Sequence, residues 1–128
     1  DRRVYKSIIN DRHTKYLPPQ PKEKLLQSYR EHNIFVMPSF TESFGLVYAE
    51  AMSQGLPVVY SKGQGFDDQF PEGTVGYHVS AYDAYDVATG IEKIINNFND
   101  IVPNTIDLAK RFNWQEIANR YSDIYKMM

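Results

Sequence analysis

Hydrophobic and polar positions follow one another along the chain in blocks that predict strands and helices in turn. Residues 33–37 and 56–61 form two short apolar runs, the pattern of strands that are buried on both faces of a sheet. Between them, the apolar positions of residues 44–54 recur with helical spacing, and Gly55 is placed to end that helix. A strand, a helix and a strand within about thirty residues predict a right-handed βαβ unit with parallel strands.

The N-terminal part predicts helices joined by an extended segment. Residues 4–9 predict a short helix or the end of one, and the proline-rich residues 16–21 predict a rigid extended connection. Pro21 suits the first turn of a helix that continues to Tyr29.

The C-terminal part continues the alternation of strand and helix. After a loop rich in Gly, Asp and Phe over residues 62–75, residues 77–79 predict a third strand. Asp83 is a suitable N-cap for a helix whose apolar stripe ends at Phe98, and a further helix is expected near residues 104–111.

The last predicted helix opens with a capping box formed by Asn113 and Glu116. We expect its apolar face to pack into the core, and that face consists of Trp114, Ile117, Tyr121, Ile124 and Tyr125. The chain as a whole therefore predicts an α/β fold, with a Rossmann-like open parallel sheet, flanking helices and a helical C-terminal tail.

The length and amino-acid composition exclude several classes of protein. The 128 residues suffice for one domain, residues 1–128, and the 42% hydrophobic content argues against disorder. The absence of cysteine excludes disulfide scaffolds and cysteine nucleophiles, and the three histidines lack a metal-binding spacing. No apolar run has the length of a membrane span. Because the first residue is Asp1 rather than Met, we expect the sequence to be an N-terminally truncated piece of a longer protein.

Charge is distributed unevenly along the chain. Residues 1–30 carry a net charge of +5, and residues 31–128 carry −7. A basic end of this size could contact phosphates or an anionic membrane surface, although a solvated surface is the more ordinary interpretation. No aromatic platform accompanies the basic residues, so nucleic-acid binding is not expected.

The candidate chemistry lies where a predicted strand ends and the next helix begins, since ligands of open α/β sheets gather at the carboxyl ends of strands. Glu42 precedes the helix, and Glu50 is the only charged residue in 43–54. Both carboxylates could border one pocket, with the free N–H groups of residues 44–46 between them. This arrangement would hold a sugar-nucleotide, with phosphate on the amides and hydroxyls on the acids.

Simpler interpretations of the same residues stay open. Glu42 could merely stabilise the helix dipole, and Glu50 could face solvent. The pattern Gly63-x-Gly65-x-x-Asp68 lacks the last glycine of a dinucleotide fingerprint and predicts a flexible loop that closes over the site. The adjacent acids Asp67 and Asp68 are expected to be solvated rather than to bind a metal.

A longer stretch of sequence supports the functional interpretation. Residues 37–59, MPSFTESFGLVYAEAMSQGLPVV, resemble the E-x7-E region of the family 4 glycosyltransferases, also called glycosyl transferases group 1. The similarity continues through GQGFD at residues 63–67 and GTVGY at residues 73–77. It ends at Phe112-Asn113-Trp114, which is similar to the F-x-W before the last helix of these enzymes. In all it covers about residues 16–127.

The resemblance implies the C-terminal, donor-binding domain of a GT-B enzyme. Glu42 would hold hydroxyls of the transferred sugar near the reacting carbon, and Glu50 would hold the ribose. Backbone amides at Ser43, Phe44, Gly45 and Leu46 would contact the sugar and the diphosphate. The family transfers sugar from a nucleotide-sugar with retention and generally needs no essential metal or other cofactor.

The resemblance also implies a biological setting. It implies polysaccharide or glycolipid synthesis by a cytoplasmic enzyme, with peripheral contact to the inner face of the membrane as an option. The saccharide or lipid-linked acceptor would bind a separate N-terminal domain. Because the family's G-R-L-x-x-x-K-G stretch, which grips the diphosphate, is absent from these residues, we expect the 128-residue piece alone to be inactive.

Two alternatives remain at this point. The chain could be a non-catalytic module that binds a nucleotide-sugar or a partner protein, although the intact Glu42, Gly45 and Glu50 argue against decay. A sugar-nucleotide epimerase of the same architecture is the weaker option.

Overall fold

A parallel three-stranded sheet organises residues 2–128, which the computed structural model describes. The helices are α1 (Arg2–Asn10), α2 (Lys22–Arg30), α3 (Leu46–Ser53), α4 (Ala84–Asn96), α5 (Phe98–Ala109) and α6 (Trp114–Met127), and the strands are β1 (Phe35–Val36), β2 (Val58–Ser61) and β3 (Gly76–Val79). The strands are ordered β1-β2-β3, with Phe35 opposite Val58 and Val58 opposite Gly76. The predicted α/β fold with parallel strands and flanking helices is confirmed.

Strand β2 lies at the centre and is buried on both faces, as predicted. Val58 and Tyr60 pack on one face in a cluster with Tyr48 and Met52 of α3. On the other face Val59 packs with residues of β3, α4 and α5. This alternation follows from the period of two along a strand, and it places helices on both sides of the sheet.

Strand β1 differs from the prediction. It comprises two residues rather than five, and Val36 is 39% exposed. Within residues 2–128, β1 pairs only with β2, so it is the edge of the sheet and its outer side is not covered. Burial of residues 33–37 on both faces is therefore wrong for this part of the chain.

Helix α5 begins earlier than its sequence predicted. It spans Phe98–Ala109 and contains Pro103, whereas the predicted helix began after that proline. Asn97 separates it from α4, so Phe98 opens α5 instead of closing the preceding helix. Ile101 and Thr105, on either side of Pro103, are fully buried. Their burial offsets the free-energy cost of the backbone hydrogen bond that a proline inside a helix cannot make.

Helix α6 also departs from expectation. The Asn113 side chain accepts a hydrogen bond from the Gln115 amide at 2.8 Å, but no reciprocal bond from Glu116 completes a capping box in the described residues. Trp114 and Tyr121 are 76% and 60% exposed, so the apolar face that was expected to pack into the core is largely open. This face is exposed because α6 contacts the rest of residues 2–128 mainly through Lys110–Phe112, the short turn just before it.

Helix α1 confirms the helix predicted over residues 4–9, and none of its residues is buried. Its Tyr5 ring meets Tyr16 edge to face, with the ring centroids 5.1 Å apart. No helix in residues 2–128 has both the length and the apolar character needed to cross a membrane.

Candidate functional site

The turn between β1 and α3 is built around Gly45. This residue is the N-cap of α3 and has φ +77°, a left-handed conformation that glycine adopts without strain. A side chain there would also overlap the Tyr48 ring. The helix therefore starts at Leu46, two residues later than predicted, and Phe44 lies in the turn.

The amides of this turn differ in their hydrogen bonding. The Phe44 amide donates to Oε1 of Glu42 at 3.4 Å, so it is not free as the sequence analysis had expected. The amides of Gly45 and Leu46 donate to no acceptor within residues 2–128. They lie at the N-terminus of α3, where the helix dipole favours an anion.

Glu42 is held by the loop over residues 62–75. Its backbone N–H donates to Oε1 of Gln64 at 2.8 Å, and its backbone carbonyl accepts from the Gly65 amide at 3.3 Å. A side chain at Gly65 would collide with the backbone carbonyl of Ser43, so glycine is what lets the loop pack directly on the motif. Glu42 as a whole residue is half-buried.

Tyr48 lies next to the carboxylate of Glu42. Its ring is almost fully buried, and its hydroxyl donates to the carbonyl of Met37 just beyond β1. Burial, and then the nearby negative charge of Glu42, raise the pKa of Tyr48 to about 12. The phenol therefore stays protonated near neutral pH and joins α3 to the end of β1.

Glu50 lies in a different place. It lines a cavity of about 430 Å³ together with Leu46 of the same helix, Lys22 at the start of α2, and Trp114. Its charge also reaches Tyr29, whose pKa is raised by burial and then by Glu50. Glu42 is not among the residues that line this cavity, and the expectation that both carboxylates border one donor pocket stays a prediction. Glu50 lies within α3, whereas Glu42 lies in the turn before that helix and contacts the loop over residues 62–75.

A second cavity, of about 230 Å³, opens at the carboxyl ends of the strands. It is lined in part by Ser39, Ser61 and Ser80, which follow β1, end β2 and follow β3. The sequence places candidate chemistry at strand ends that begin at Ser39 and Ser61, but it does not indicate that Ser80, after β3, joins them in one cavity.

Asp67 was also misjudged from sequence. Its side chain is 10% exposed, accepts from the Gly63 amide at 2.6 Å and lies 2.9 Å from Nδ1 of His78. Burial alone would raise the pKa of Asp67, but the hydrogen bonds from Gly63 and His78 outweigh burial and lower it. Asp67 thus fixes the start of the loop to β3, rather than being solvated like its neighbour Asp68.

The family model for glycosyl transferases group 1 matches residues 5–117, a range that includes Glu42, the Gly45 turn and Glu50. The chain belongs to this family. The family resemblance that residues 37–59 carried is thereby confirmed.

Relatives and solved structures of glycosyltransferases agree with that membership. The chain is 36% identical to the D-inositol 3-phosphate glycosyltransferase of Corynebacterium kroppenstedtii over 115 residues, which is 88% of this chain and 26% of that protein. It is also 36% identical to that of Nocardia farcinica over 120 residues, or 91% of this chain and 26% of the relative. The chain thus spans about a quarter of the length of these relatives.

Sucrose-phosphate synthase from Thermosynechococcus elongatus superposes with a TM-score of 0.84 at 27% identity, over 98% of this chain and 33% of that one. Anabaena HepE, solved in complex with UDP and glucose, superposes with a TM-score of 0.82 at 21% identity, over 99% of this chain and 36% of that one. The α/β architecture of the group 1 chain is therefore that of the GT-B glycosyltransferases.

Proposed function

We propose that this chain is the donor-binding part of a retaining glycosyltransferase, which moves a sugar from a nucleotide-sugar to an acceptor hydroxyl in polysaccharide or glycolipid synthesis. One observation carries the proposal. In a chain of this family, the loop over residues 62–75 holds Glu42 next to the backbone amides of Gly45 and Leu46. These two amides donate to no acceptor within residues 2–128. HepE, which shares the fold, was solved with UDP and glucose, and this supports a nucleotide-sugar as the donor.

The two carboxylates take different ends of the donor. Glu42 accepts hydrogen bonds from hydroxyls of the transferred sugar, and Glu50, in its own cavity, accepts them from the ribose. A nucleotide-sugar is an elongated molecule whose sugar and ribose are separated by a diphosphate. Separate locations for Glu42 and Glu50 therefore suit it, with the diphosphate on the amides of Gly45 and Leu46.

The reaction needs positioning and charge stabilisation more than a strong base. The bond from the anomeric carbon to the diphosphate oxygen breaks, and the acceptor oxygen bonds to that carbon on the same face of the sugar. The acceptor proton passes to the leaving diphosphate. The N-terminus of α3 stabilises the negative charge that develops on this diphosphate, and Glu42 orients the sugar.

The test uses the whole protein that contains this chain. We expect Glu42→Ala and Glu50→Ala each to lower kcat/KM by at least about 100-fold, the loss typical of removing one transition-state contact. Glu92→Ala, at an exposed position on α4, is the matched control and keeps full activity.

Thermal unfolding of all three variants shows whether a loss of activity is a loss of fold. Activity is also measured with EDTA, because we propose that no metal ion is essential, and the rate is expected to be unchanged. Full activity in both Glu42→Ala and Glu50→Ala would refute the proposed function.

A further inference from the structure

The smaller cavity is a built feature of the fold that the proposed function does not use. All three strands contribute to it: Ser39 and Phe40 follow β1, Lys62 and Gln64 follow β2, and Tyr82 follows β3. The carboxyl edge of a parallel sheet is where α/β proteins bind ligands. With a volume of about 230 Å³, the cavity is smaller than the roughly 300–1,000 Å³ of drug-sized sites, so it suits a single ring.

Two aromatic rings at the mouth of this cavity are exposed. Phe40 and Tyr82 pack against each other with their ring centroids 4.8 Å apart and their planes inclined by 37°, yet they are 63% and 83% exposed. Burial does not explain aromatic residues in such positions. The face of an aromatic ring carries partial negative charge, and the C–H face of a pyranose is apolar and weakly positive, so the two stack favourably.

Two polar side chains of the cavity, Gln64 and Lys62, carry hydrogen-bond donors that have no acceptor within residues 2–128. Gln64 uses Oε1 to accept from the Glu42 amide, and its Nε2 donates to nothing within residues 2–128. Lys62 is the only charged residue lining the cavity, and its ammonium has no ion-pair partner in the described part of the chain. These donors match sugar hydroxyl oxygens and one anionic group.

From these features we infer that the cavity binds a pyranose ring that carries a phosphate or carboxylate. The C–H face of the ring stacks on Phe40 and Tyr82, its hydroxyls accept from Gln64, and its anionic group pairs with Lys62. Because Gln64 also holds the Glu42 backbone, this ring lies beside the residue assigned to the transferred sugar. The role rests on the proposed function: where that function holds, the ring is part of the acceptor.

The experiment compares glucose 6-phosphate with glucose as probes for the whole protein. Saturation-transfer NMR gives the ring protons in contact with the protein, and titration gives each Kd. We expect the strongest transfer on the axial protons of one face of the β-pyranose and a lower Kd for glucose 6-phosphate. Tyr82→Ser is expected to raise both Kd values about tenfold, since it removes one stacking surface.

Matched controls keep the test specific. Tyr85→Ser changes an aromatic residue of equal exposure, 81% against 83%, that does not line the cavity, and it leaves both Kd values unchanged. Lys62→Gln raises the Kd of glucose 6-phosphate to that of glucose without affecting glucose itself, whereas Lys24→Gln on α2 has no effect.

Some outcomes would overturn the inference. It is wrong if neither probe binds, if Tyr82→Ser behaves like Tyr85→Ser, or if Lys62→Gln affects both probes equally. The activity of Glu42→Ala and Glu50→Ala is measured separately. If both variants keep full activity, the proposed function fails while the cavity result stands, so the two failures can be told apart.

Discussion

At the scale of single residues, Asp67 determines where the loop over the site begins. Its carboxylate joins the Gly63 amide to His78 on β3, and His78 in turn has Nε2 3.7 Å from Glu72 at the other end of the loop. The hydrogen bonds from these partners favour the charged form of the Asp67 carboxylate. The loop that carries Gln64 and Gly65 therefore depends on an electrostatic contact that lies outside the Glu42 turn.

Because the pKa of Asp67 is lowered in the folded protein, Asp67 makes stability depend on pH. The folded state binds this proton less readily than the unfolded state, whose reference pKa is 3.8. The stabilisation is thus present above that value and is lost as the pH falls below it. We expect the difference in the free energy of unfolding between the parent and Asp67→Asn to shrink as the pH falls from about 4 to 2.

Chemical denaturation at each pH measures this difference. Asp68→Asn, at the exposed neighbouring position, serves as the control and should keep the pH dependence of the parent. A parent-to-variant difference that does not change with pH would contradict the role given to Asp67.

Sequence patterns indicated some residues of the candidate site and missed others for one physical reason. Glu42, Gly45 and Glu50 lie in one short segment, so spacing along the chain was informative about them. Gln64 and Asp67 act through partners 22 and 11 residues away, and those contacts exist only once the loop has folded. No local pattern encodes them.

At the scale of elements, the loop and the Glu42 turn form one packed unit. Two glycines in the loop have different reasons to be glycine. Gly65 lies against the backbone of Ser43 and Phe44, while Gly63 has open space around it but a left-handed φ of +69°. Gly65 must therefore lack a side chain, whereas Gly63 must adopt a left-handed backbone conformation that glycine adopts without strain.

Alanine substitution separates these two requirements. Gly63→Ala adds backbone strain alone and is expected to cost about 1 kcal/mol. Gly65→Ala drives a methyl group into the Ser43 carbonyl, so the loop must move away from the turn, and we expect about 3 kcal/mol together with weaker donor binding. Urea denaturation and titration with a nucleotide-sugar measure both effects. Equal destabilisation by the two substitutions would contradict direct packing of the loop on the turn.

Elements were predicted best where burial and periodicity agree. Strand β2 is central and apolar throughout, so its sequence alone indicated its place. Strand β1 has a similar sequence but lies at the sheet edge of residues 2–128, and α5 continues through Pro103 because buried neighbours hold it. The length of β1 and the start of α5 thus depend on where each element lies in the folded chain, and a local sequence pattern does not contain that information.

At the scale of the whole molecule, residues 2–128 leave apolar faces of α1 and α6 open to solvent. The chain also spans about a quarter of the length of its glycosyltransferase relatives. The edge of one sheet covers only one side of the donor's reacting carbon. The acceptor hydroxyl must also be held against the anomeric carbon.

These facts lead to a prediction about the 128-residue chain on its own, which is that it transfers no sugar. The family's Arg and Lys that grip the diphosphate are absent from its sequence, and fixed positive charge on a leaving phosphate contributes about 10³-fold or more to rate. Release of nucleoside diphosphate from UDP-glucose is compared between this chain and the whole protein, with amide NMR spectra to show that the chain is folded. Turnover by the folded chain above the uncatalysed rate would mean that residues 1–128 hold a complete site, and that Glu42, Glu50 and the start of α3 suffice for chemistry.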